Sequence, residues 1–283
     1  MTMAADRPTE FRFDAADHAV ISAFVYDEAG ILMPPGKMQL VYGRLAPRVR
    51  ASGLTTFADY IALIEHDEAE RTRAIDALTT NHTSFFREPH HFDHFLEHAW
   101  PALDQRLAAR GKVRIWSAAC SSGEEPYSLL MALFGKERGN GQRLSRTDLR
   151  VLATDLSTEI LAAAAAGRYA LDTASGIPTS LRQAWVKRDG DQAEVHPLIR
   201  ERCSFRKLNL LESWPMRGTF DAIFCRNVMI YFDEPTKERL QTRLADCLVP
   251  GGFLYIGHSE RLSASVAPRF ACVGRTTFQK VAV

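Results

Sequence analysis

Two adjacent carboxylates, Glu124 and Glu125, follow a run of small residues between a predicted strand and a predicted helix. Small side chains at 117–123 let the backbone approach a ligand closely, as glycines do in nucleotide-binding loops. Both carboxylates lie at the helix N-terminus, where a pyrophosphate would otherwise bind, and would repel it. The segment therefore favours a cationic, phosphate-free nucleoside such as S-adenosylmethionine over NAD or ATP. Taken alone, it is equally compatible with two acids that stabilise the helix through its macrodipole.

A further carboxylate, Asp155, follows a predicted strand at 151–154. At the carboxyl end of a second parallel strand, its two oxygens can accept hydrogen bonds from both hydroxyls of a ribose. Because Leu156 and Ser157 come next, Asp155 is also an adequate helix cap. Combined with the small-residue loop one strand earlier, the pattern favours the ribose contact.

A predicted strand at 220–225 delivers Arg226, Asn227 and Tyr231 to its carboxyl end, where active sites of open α/β sheets collect. Nucleic-acid amino-methyltransferases typically carry two prolines directly after an Asn or Asp at this strand end, whereas Val228 and Met229 follow Asn227 here. The sequence thus argues against methylation of nucleic-acid bases. The alternative role for Tyr231 is packing over the sheet edge.

Polar residues alternate with an aromatic pair at 81–92, in a junction where clefts often form. His90, His94 and His98 recur there at four-residue steps. This stretch is predicted to be an amphipathic helix with an apolar side, which disfavours a metal site. The five cysteines are far apart and lack ligand spacing, so we expect neither a disulfide framework nor a zinc site.

The elements that position these residues change character near Arg110. Before it, apolar residues recur at three- and four-residue spacings, which predicts helices and no strand. After it, short apolar strands alternate with helices, which is typical of a parallel sheet built from βαβ units. The predicted strands are 113–118, 151–154, 220–225 and 253–257, with helices at 125–135, 157–167 and 235–248. The last helix is predicted to stop at 250–252, and 270–283 to form an antiparallel pair at the sheet edge.

The length of 283 residues suits one large and one smaller unit. We predict an all-helical N-terminal domain at 1–80, a linker and connecting helix at 81–110, and an α/β domain at 111–283. Between a βα unit and the next strand, glycines and prolines interrupt weak strand signals. We therefore expect a small β-subdomain inserted at about 171–204.

The net charge of +1 provides no global field to attract nucleic acid. Lys37, Arg44 and Arg48 are spaced to share one helix face, in a stretch at 33–53 without an acidic residue. No apolar run approaches the ~20 residues that span a bilayer, and the first residues lack the pattern of a signal peptide. The sequence predicts a cytoplasmic protein without membrane insertion.

Four segments, at 79–92, 116–128, 153–161 and 220–260, together closely resemble the chemotaxis receptor methyltransferases, the CheR family. Its specific strings are Thr-Asn-x-Thr-x-Phe-Phe-Arg-Glu, from Thr80, and Cys-Arg-Asn-Val-x-Ile-Tyr-Phe, from Cys225. The resemblance implies a Rossmann-like class I methyltransferase domain with S-adenosylmethionine as cofactor. It maps the family's cofactor contacts onto Asn81, Thr83, Arg87, Glu125, Asp155, Asn209, Leu210, Arg226 and Asn227. Arg87 and Tyr231 match the positions nearest the transferred methyl group and are the predicted catalytic residues.

The resemblance further implies methyl esterification of glutamate side chains on the cytoplasmic helical region of bacterial chemoreceptors, for sensory adaptation. The basic face of Lys37, Arg44 and Arg48 is then a candidate for docking on acidic receptor helices. In some members the β-subdomain binds a C-terminal receptor peptide. Here the hairpin at 187–191 is shorter and less glycine-rich, which disfavours such tethering. Two alternatives stay open: methyl transfer to another acceptor, and a non-catalytic S-adenosylmethionine-sensing adaptor that binds receptors.

Overall fold

The computed structural model describes residues 10–79 and 81–281. The chain divides into two compact units, residues 1–80 and 81–283. Thr80, which begins the first family string, and the end of the predicted tail at 282–283 lie outside the described residues. Across the two described ranges, every helix is too short or too polar to cross a membrane.

The first unit is helical, and the described part of it, 10–79, contains no strand, which confirms the prediction. Its helices are α1 (Ala15–Ala29), α2 (Met38–Ala51), α3 (Phe57–His66) and α4 (Glu68–Leu78), with a 3-10 turn at Pro35–Lys37. α1 begins at Asp14, whose carboxylate accepts hydrogen bonds from two main-chain amides, and ends at Gly30 with a φ of 68°. Glycine adopts this left-handed C-cap without strain. The apolar faces of α1 and α2 pack inward through Ile21, Val25 and Leu45.

Of the three basic residues predicted to share one helix face, Lys37 lies in the 3-10 turn that precedes α2, and only Arg44 and Arg48 lie in α2 itself. The side chains of Arg44 and Arg48 have partners inside this unit. Arg44 Nη1 donates to the main-chain carbonyls of Leu78 and Thr79, at 2.6 and 3.0 Å. Arg48 donates through Nε and Nη2 to Glu70, with Nη2 2.5 Å from Oε2. These contacts tie α2 to the end of α4 and to its first turn. Docking through this face stays a prediction, but Arg44 and Arg48 have a structural role whatever its outcome.

Glu70 is the centre of a buried polar cluster in the first unit, with only 4% of its surface exposed. Besides Arg48, it accepts hydrogen bonds from the Tyr60 hydroxyl at 2.9 Å and from Arg73 at 3.1 Å. Burial alone would raise the pKa of Glu70, but these donors lower it overall. The carboxylate is therefore charged at neutral pH, and removal of Arg48 would leave it poorly compensated.

The second unit is built on a seven-stranded sheet with the order β6-β2-β1-β7-β8-β10-β9. The strands are β1 (Lys112–Ala118), β2 (Asp148–Asp155), β6 (Cys203–Lys207), β7 (Phe220–Cys225), β8 (Leu248–Ile256), β9 (Phe270–Gly274) and β10 (Thr277–Lys280). The first five of these pair in parallel, and β9 and β10 form the antiparallel pair predicted at the edge. The fold is thus the predicted α/β class.

Helices cover the sheet close to where the apolar pattern places them. They are α5 (His90–His94), α6 (Trp100–Ala108), α7 (Glu124–Phe134), α8 (Arg138–Ser145), α9 (Thr158–Ala166) and α13 (Glu234–Cys247), with a π-helical segment at Phe95–Ala99. The sequence misses α8. The segment predicted as linker and connecting helix lies in this unit, where Phe92 and Phe95 are buried in the hydrophobic core.

The stop predicted for the last helix, 250–252, lies inside a strand instead. α13 ends at Cys247, and β8 continues from Leu248 through this stretch with a bulge, since Phe220 pairs with Leu248 while Ala222 pairs with Phe253. A side chain at Gly252 would lie 3.1 Å from the Asp221 carbonyl. Gly252 therefore lies at a close approach of two strands rather than at a helix end.

The inserted subdomain is a three-stranded antiparallel sheet with the order β3-β5-β4. It comprises β3 (Arg168–Ala170), β4 (Val186–Asp189) and β5 (Gln192–Val195), with short helices α10 (Leu171–Ala174), α11 (Thr179–Trp185) and α12 (Pro197–Arg200). It begins a few residues before the predicted boundary at 171. At its other end, Cys203 and Ser204 already belong to β6, which pairs with β2 because Cys203 and Phe205 pack against the main core.

Candidate active site

The residues at the carboxyl ends of four parallel strands lie in one row. Ala118 of β1 pairs with Thr154 of β2 and with Cys225 of β7, which pairs with Ile256 of β8. The loops that follow these strands therefore converge at one edge of the sheet. The strand order also reverses here, since β2 and β6 lie on one side of β1, and β7 and β8 on the other. Ligands of open α/β sheets bind in the crevice at such a point.

The small-residue loop after β1 has an unusual backbone. Ala119 and Ser121 have φ values of 59° and 50°, and Gly123 has 92°. Left-handed conformations of non-glycine residues cost about 1–3 kcal/mol each and persist only where the surroundings impose them. Here Asp155 Oδ2 accepts a hydrogen bond from the Ser121 amide at 2.8 Å. The loop after β1 is therefore held by the carboxylate that ends β2.

Asp155 is buried, and its Oδ1 accepts a second hydrogen bond, from the Ser157 amide at 3.1 Å. It thus has the capping contact that the sequence left as an alternative. Burial raises the pKa of Asp155, and hydrogen bonds from the amides of Ser121, Ser157 and Leu156 oppose that rise. A carboxylate offers about four acceptor positions, so three amide contacts leave capacity for a ribose hydroxyl.

Arg226, the first residue after β7, is almost completely buried, with 3% of its side chain exposed. Its Nη1 donates to Glu125 Oε2 at 3.0 Å, and its Nη2 lies 3.2 Å from Glu88 Oε2. Nη2 also donates to the main-chain carbonyl of Arg87. The planar guanidinium can make these contacts at once, because its N–H donors point in fixed directions toward the two carboxylates. Arg226 thereby joins the loops after β1 and β7 to the segment before α5.

Glu88 is a site residue that the sequence analysis did not single out. Besides Arg226, it accepts hydrogen bonds at Oε1 from Asn227 Nδ2 at 3.2 Å, the His258 amide at 3.1 Å and His258 Nδ1 at 2.8 Å. Burial opposes ionisation of Glu88, but Arg226 and the other donors lower its pKa to about 2. Its position directly after Arg87 in the family string was the only signal available.

Glu124 and Glu125, which open α7, have different surroundings. Glu125 Oε1 accepts a hydrogen bond from Ser117 Oγ at 2.6 Å, so both of its oxygens are held inside the site. Burial raises the pKa of Glu125, and Arg226 limits that increase. Glu124 is buried and accepts from Ser122 Oγ at 2.7 Å, and burial raises its pKa as well. The two acids are therefore parts of the loop structure in addition to being charges at a helix N-terminus.

Asn227 is held on two sides. Its φ is 58°, and its amide donates to Glu260 Oε2 at 3.2 Å, which also accepts from the Gly257 amide at 2.6 Å. A side chain at Gly257 would lie 2.4 Å from Asn227 Nδ2. Glycine at the end of β8 therefore leaves the space that Asn227 occupies beside Glu88.

The family string at 81–88 forms a sharp turn beside these residues. Phe86 and Glu88 have φ values of 54° and 55°. Arg87 Nη1 donates to the His82 carbonyl at 2.8 Å, and the Asn81 carbonyl accepts from Ser121 Oγ at 3.1 Å. Asn81 and Arg87 are thus connected through hydrogen bonds to the loop after β1 and to Arg226.

The remaining predicted residues lie on nearby segments. Thr83 is half-buried, two residues after Asn81, and Tyr231 ends a 3-10 turn, Met229–Tyr231, just after Asn227. Asn209 and Leu210 follow β6, where Asn209 Nδ2 donates to Glu212 Oε1 at 3.2 Å. Within the two described ranges, no group of three His, Cys, Asp or Glu side chains is arranged to hold a metal ion.

The donor set fits a cationic nucleoside better than a nucleotide. Arg226 contributes one positive charge, and Glu88 and Glu125 contribute two carboxylates, so the cluster has a net negative charge when both are ionised. A sulfonium or ammonium group is attracted to such a cluster, whereas a phosphate is repelled. Asp155 adds acceptor capacity one strand away.

Comparison with known proteins identifies the family of this chain. Residues 81–279 match the family description "CheR methyltransferase, SAM binding domain", and residues 16–79 match "CheR methyltransferase, all-alpha domain". The "Probable chemotaxis protein methyltransferase" of Rhizobium etli is 40% identical over 261 residues, which cover 90% of this chain and 96% of that protein. The "Chemotaxis protein methyltransferase" of Escherichia coli is 38% identical, over 91% of this chain and 88% of that protein. The chain therefore belongs to the CheR family of S-adenosylmethionine-binding methyltransferases.

Proposed function

We propose that this chain transfers a methyl group from S-adenosylmethionine to glutamate side chains of bacterial chemoreceptors in the cytoplasm, giving glutamyl methyl esters. The observation that carries the proposal is the buried cluster of Arg226, Glu88 and Glu125 beside Asp155, in a chain of the CheR family. The names of the relatives, chemotaxis protein methyltransferases, support chemoreceptors as the acceptor.

The acceptor requires no general base. A glutamate carboxylate has a pKa of about 4.3 in water and is already a nucleophile at neutral pH. When bound, S-adenosylmethionine supplies an electrophilic methyl group and leaves as S-adenosylhomocysteine. The chain itself has to align the incoming carboxylate and keep water out of the reaction path.

Arg87 and Tyr231 are the residues we propose to perform the alignment. A guanidinium carries five N–H donors. In Arg87, Nη1 donates to the His82 carbonyl. Its planar fork can hold a carboxylate with two parallel hydrogen bonds, either that of the acceptor or that of the cofactor. The Tyr231 hydroxyl can orient either group from the turn after Asn227.

The other predicted residues would hold the cofactor. Asp155 would accept the ribose hydroxyls, and the negative cluster would face the positive charge. Asn81, Thr83, Arg226 and Asn227 would line the surrounding turns, and Asn209 with Leu210 would contact the base from the loop after β6. On the first unit, Lys37 and its neighbours Arg44 and Arg48 are proposed to meet the acidic receptor helices.

The experiment that tests the proposal uses purified chain, S-[methyl-³H]adenosylmethionine and membranes from cells that express candidate receptors. We expect label on the receptor that mild base releases as methanol, because a glutamyl ester hydrolyses and an N-methyl group does not. Arg87→Ala should lose at least about tenfold in rate, equivalent to ~1.4 kcal/mol of transition-state stabilisation. Arg146→Ala is the matched control, since Arg146 is exposed at the end of α8.

The alternatives give different results in the same assay. Base-stable label on protein would indicate N-methylation, and label on a small product would indicate a different acceptor. Cofactor binding without any turnover, on every receptor offered, would favour a sensing adaptor. Normal turnover by Arg87→Ala would remove the role proposed for Arg87 and leave the reaction itself standing.

A further inference from the structure

Glu88 has contacts that exceed what is needed to neutralise one arginine. Its Oε2 faces Arg226, and its Oε1 accepts from Asn227 and from two donors of His258. These partners follow β7 and β8, whereas Glu88 itself precedes α5. A single carboxylate thus fixes the ends of two parallel strands to the segment that carries Arg87.

The backbone conformation of Glu88 directs its carboxylate toward Arg226. Its φ of 55° is in the left-handed region, which a long, unbranched side chain adopts at a cost. The adjacent Arg87 carbonyl accepts a hydrogen bond from the same Arg226 guanidinium. The turn therefore presents a carbonyl oxygen and a carboxylate to one buried cation, with only 10% of the Glu88 side chain exposed.

A structural ion pair is the simpler explanation, and two features count against it. Arg226 already has Glu125 as a partner at 3.0 Å, so a second carboxylate adds negative charge beyond neutralisation of Arg226 when Glu125 is ionised. In addition, buried ion clusters contribute little net stability compared with apolar side chains of similar size. The excess charge lies at the sheet edge where a cationic cofactor is expected to bind.

We propose that Glu88 is a positioning residue, which holds Arg226 and Asn227 in place for the cofactor and supplies negative charge that adds to the binding of S-adenosylmethionine, whose sulfur is cationic, but not to that of S-adenosylhomocysteine. The inference rests on the proposed cofactor role of Arg226 and Asn227 and is independent of the methyl acceptor. The two ligands differ by one methyl group and one positive charge at sulfur. Discrimination between them therefore reports on charge, whereas a loss of packing weakens both alike.

The test is calorimetric binding of both ligands to the full chain, as wild type, Glu88→Gln, Glu88→Asp and Glu97→Gln. Glu88→Gln keeps the shape and removes the charge. We expect it to bind S-adenosylmethionine about tenfold more weakly, equivalent to ~1.4 kcal/mol, with a clearly smaller loss for S-adenosylhomocysteine. Glu97→Gln is the matched control, because Glu97 is 76% exposed and should leave both affinities unchanged. Equal losses for the two ligands in Glu88→Gln, or no loss, would overturn the proposal.

Glu88→Asp provides an independent test if Glu88→Gln does not fold. Aspartate tolerates a left-handed backbone better than most residues and keeps the charge, but it is one methylene shorter. We expect the wild-type ratio of the two affinities together with a kcat at least about tenfold lower, since Arg226 and Asn227 lose their fixed positions. Unchanged kcat would refute the positioning role. Unchanged cofactor affinity in Asn227→Ala would refute the cofactor assignment on which the inference rests, whatever the result of the methylation assay.

Discussion

His91 provides a quantitative test of the electrostatics around the site. It is completely buried, and its Nε2 lies 3.0 Å from Thr276 Oγ1. Glu88 Oε2, 3.4 Å from Nδ1, favours the charged imidazolium. Burial opposes it more strongly, and Arg226 and His90 add positive charge nearby, so the pKa of His91 falls to about 3. We therefore expect His91 to be neutral in the folded protein over the whole physiological range.

The size of the effect follows from the difference between folded and unfolded states. In the unfolded chain the imidazole of His91 titrates near ~6.5. Because the folded state favours the neutral form, the contribution to stability is complete above pH 6.5 and is lost as the pH falls from 6.5 toward 3. Each pH unit is equivalent to ~1.4 kcal/mol per proton, so a fall to pH 5 costs about 2 kcal/mol.

The assay is urea unfolding followed by tryptophan fluorescence at pH 7.5 and pH 5.0. All four tryptophans lie in the second unit, so the signal reports the unit that contains His91. His91→Gln retains a polar nitrogen toward Thr276 but cannot titrate. We expect wild type to lose about 2 kcal/mol more than His91→Gln between the two pH values. His98→Gln, on an exposed histidine of the same helical segment, should behave as wild type.

The reasoning is refuted if wild type and His91→Gln lose the same free energy of unfolding between pH 7.5 and 5.0. That result would mean that folding does not lower the pKa of His91, because the contact with Glu88 compensates for burial. The charge of the site would then be one unit more positive in acid than proposed. The expected preference for a cationic cofactor would weaken accordingly.

Other perturbations test separate parts of the structure. Asp155→Asn should weaken S-adenosylmethionine binding at least about tenfold in calorimetry, and unchanged affinity would exclude the ribose contact. Gly257→Ala should displace Asn227, because the added side chain would lie 2.4 Å from Asn227 Nδ2, and should thereby lower cofactor affinity. Gly218→Ala should leave cofactor affinity unchanged, because Gly218 has open space around it. Arg48→Met should lower the free energy of unfolding of the first unit by about 1–3 kcal/mol, measured by circular dichroism, because the buried Glu70 carboxylate keeps only Arg73 and Tyr60 as partners. A loss below about 1 kcal/mol would indicate a surface ion pair instead.

The sequence predicted best the elements whose side-chain pattern is determined locally. β7 was predicted at 220–225 and runs over Phe220–Cys225, since every one of its residues is apolar or paired in the core. β6 was missed, because the alternation in Cys203–Lys207 rests on only two apolar residues, Cys203 and Phe205, which is too short to mark a strand. Its place in the sheet depends on pairing with β2, which only the folded chain supplies.

The site shows the same division between local and distant information. Arg226 and Asn227 could be singled out because they follow a clear strand. Glu88 could not, because its partners are 138 to 170 residues away in the chain. Likewise, helical spacing correctly places Arg44 and Arg48 on one face, but it gives no sign that Glu70 faces Arg48 from another helix. Spacing identifies which side chains share a surface, and tertiary packing decides what that surface contacts.

The energetic cost of the buried cluster argues for its role in binding rather than in folding. Desolvation of Arg226, Glu88 and Glu125 costs several kcal/mol per ion, and their mutual attraction roughly offsets that cost. Left-handed backbone at Phe86, Glu88 and Asn227 adds strain at the same place. Such a cost is tolerated where fixed charges must face a ligand, because a cluster that is already oriented needs no rearrangement when the cation binds. Loss of the methyl group removes the positive charge at sulfur, so the attraction to the fixed negative charge is made by the substrate cofactor and is absent for the product.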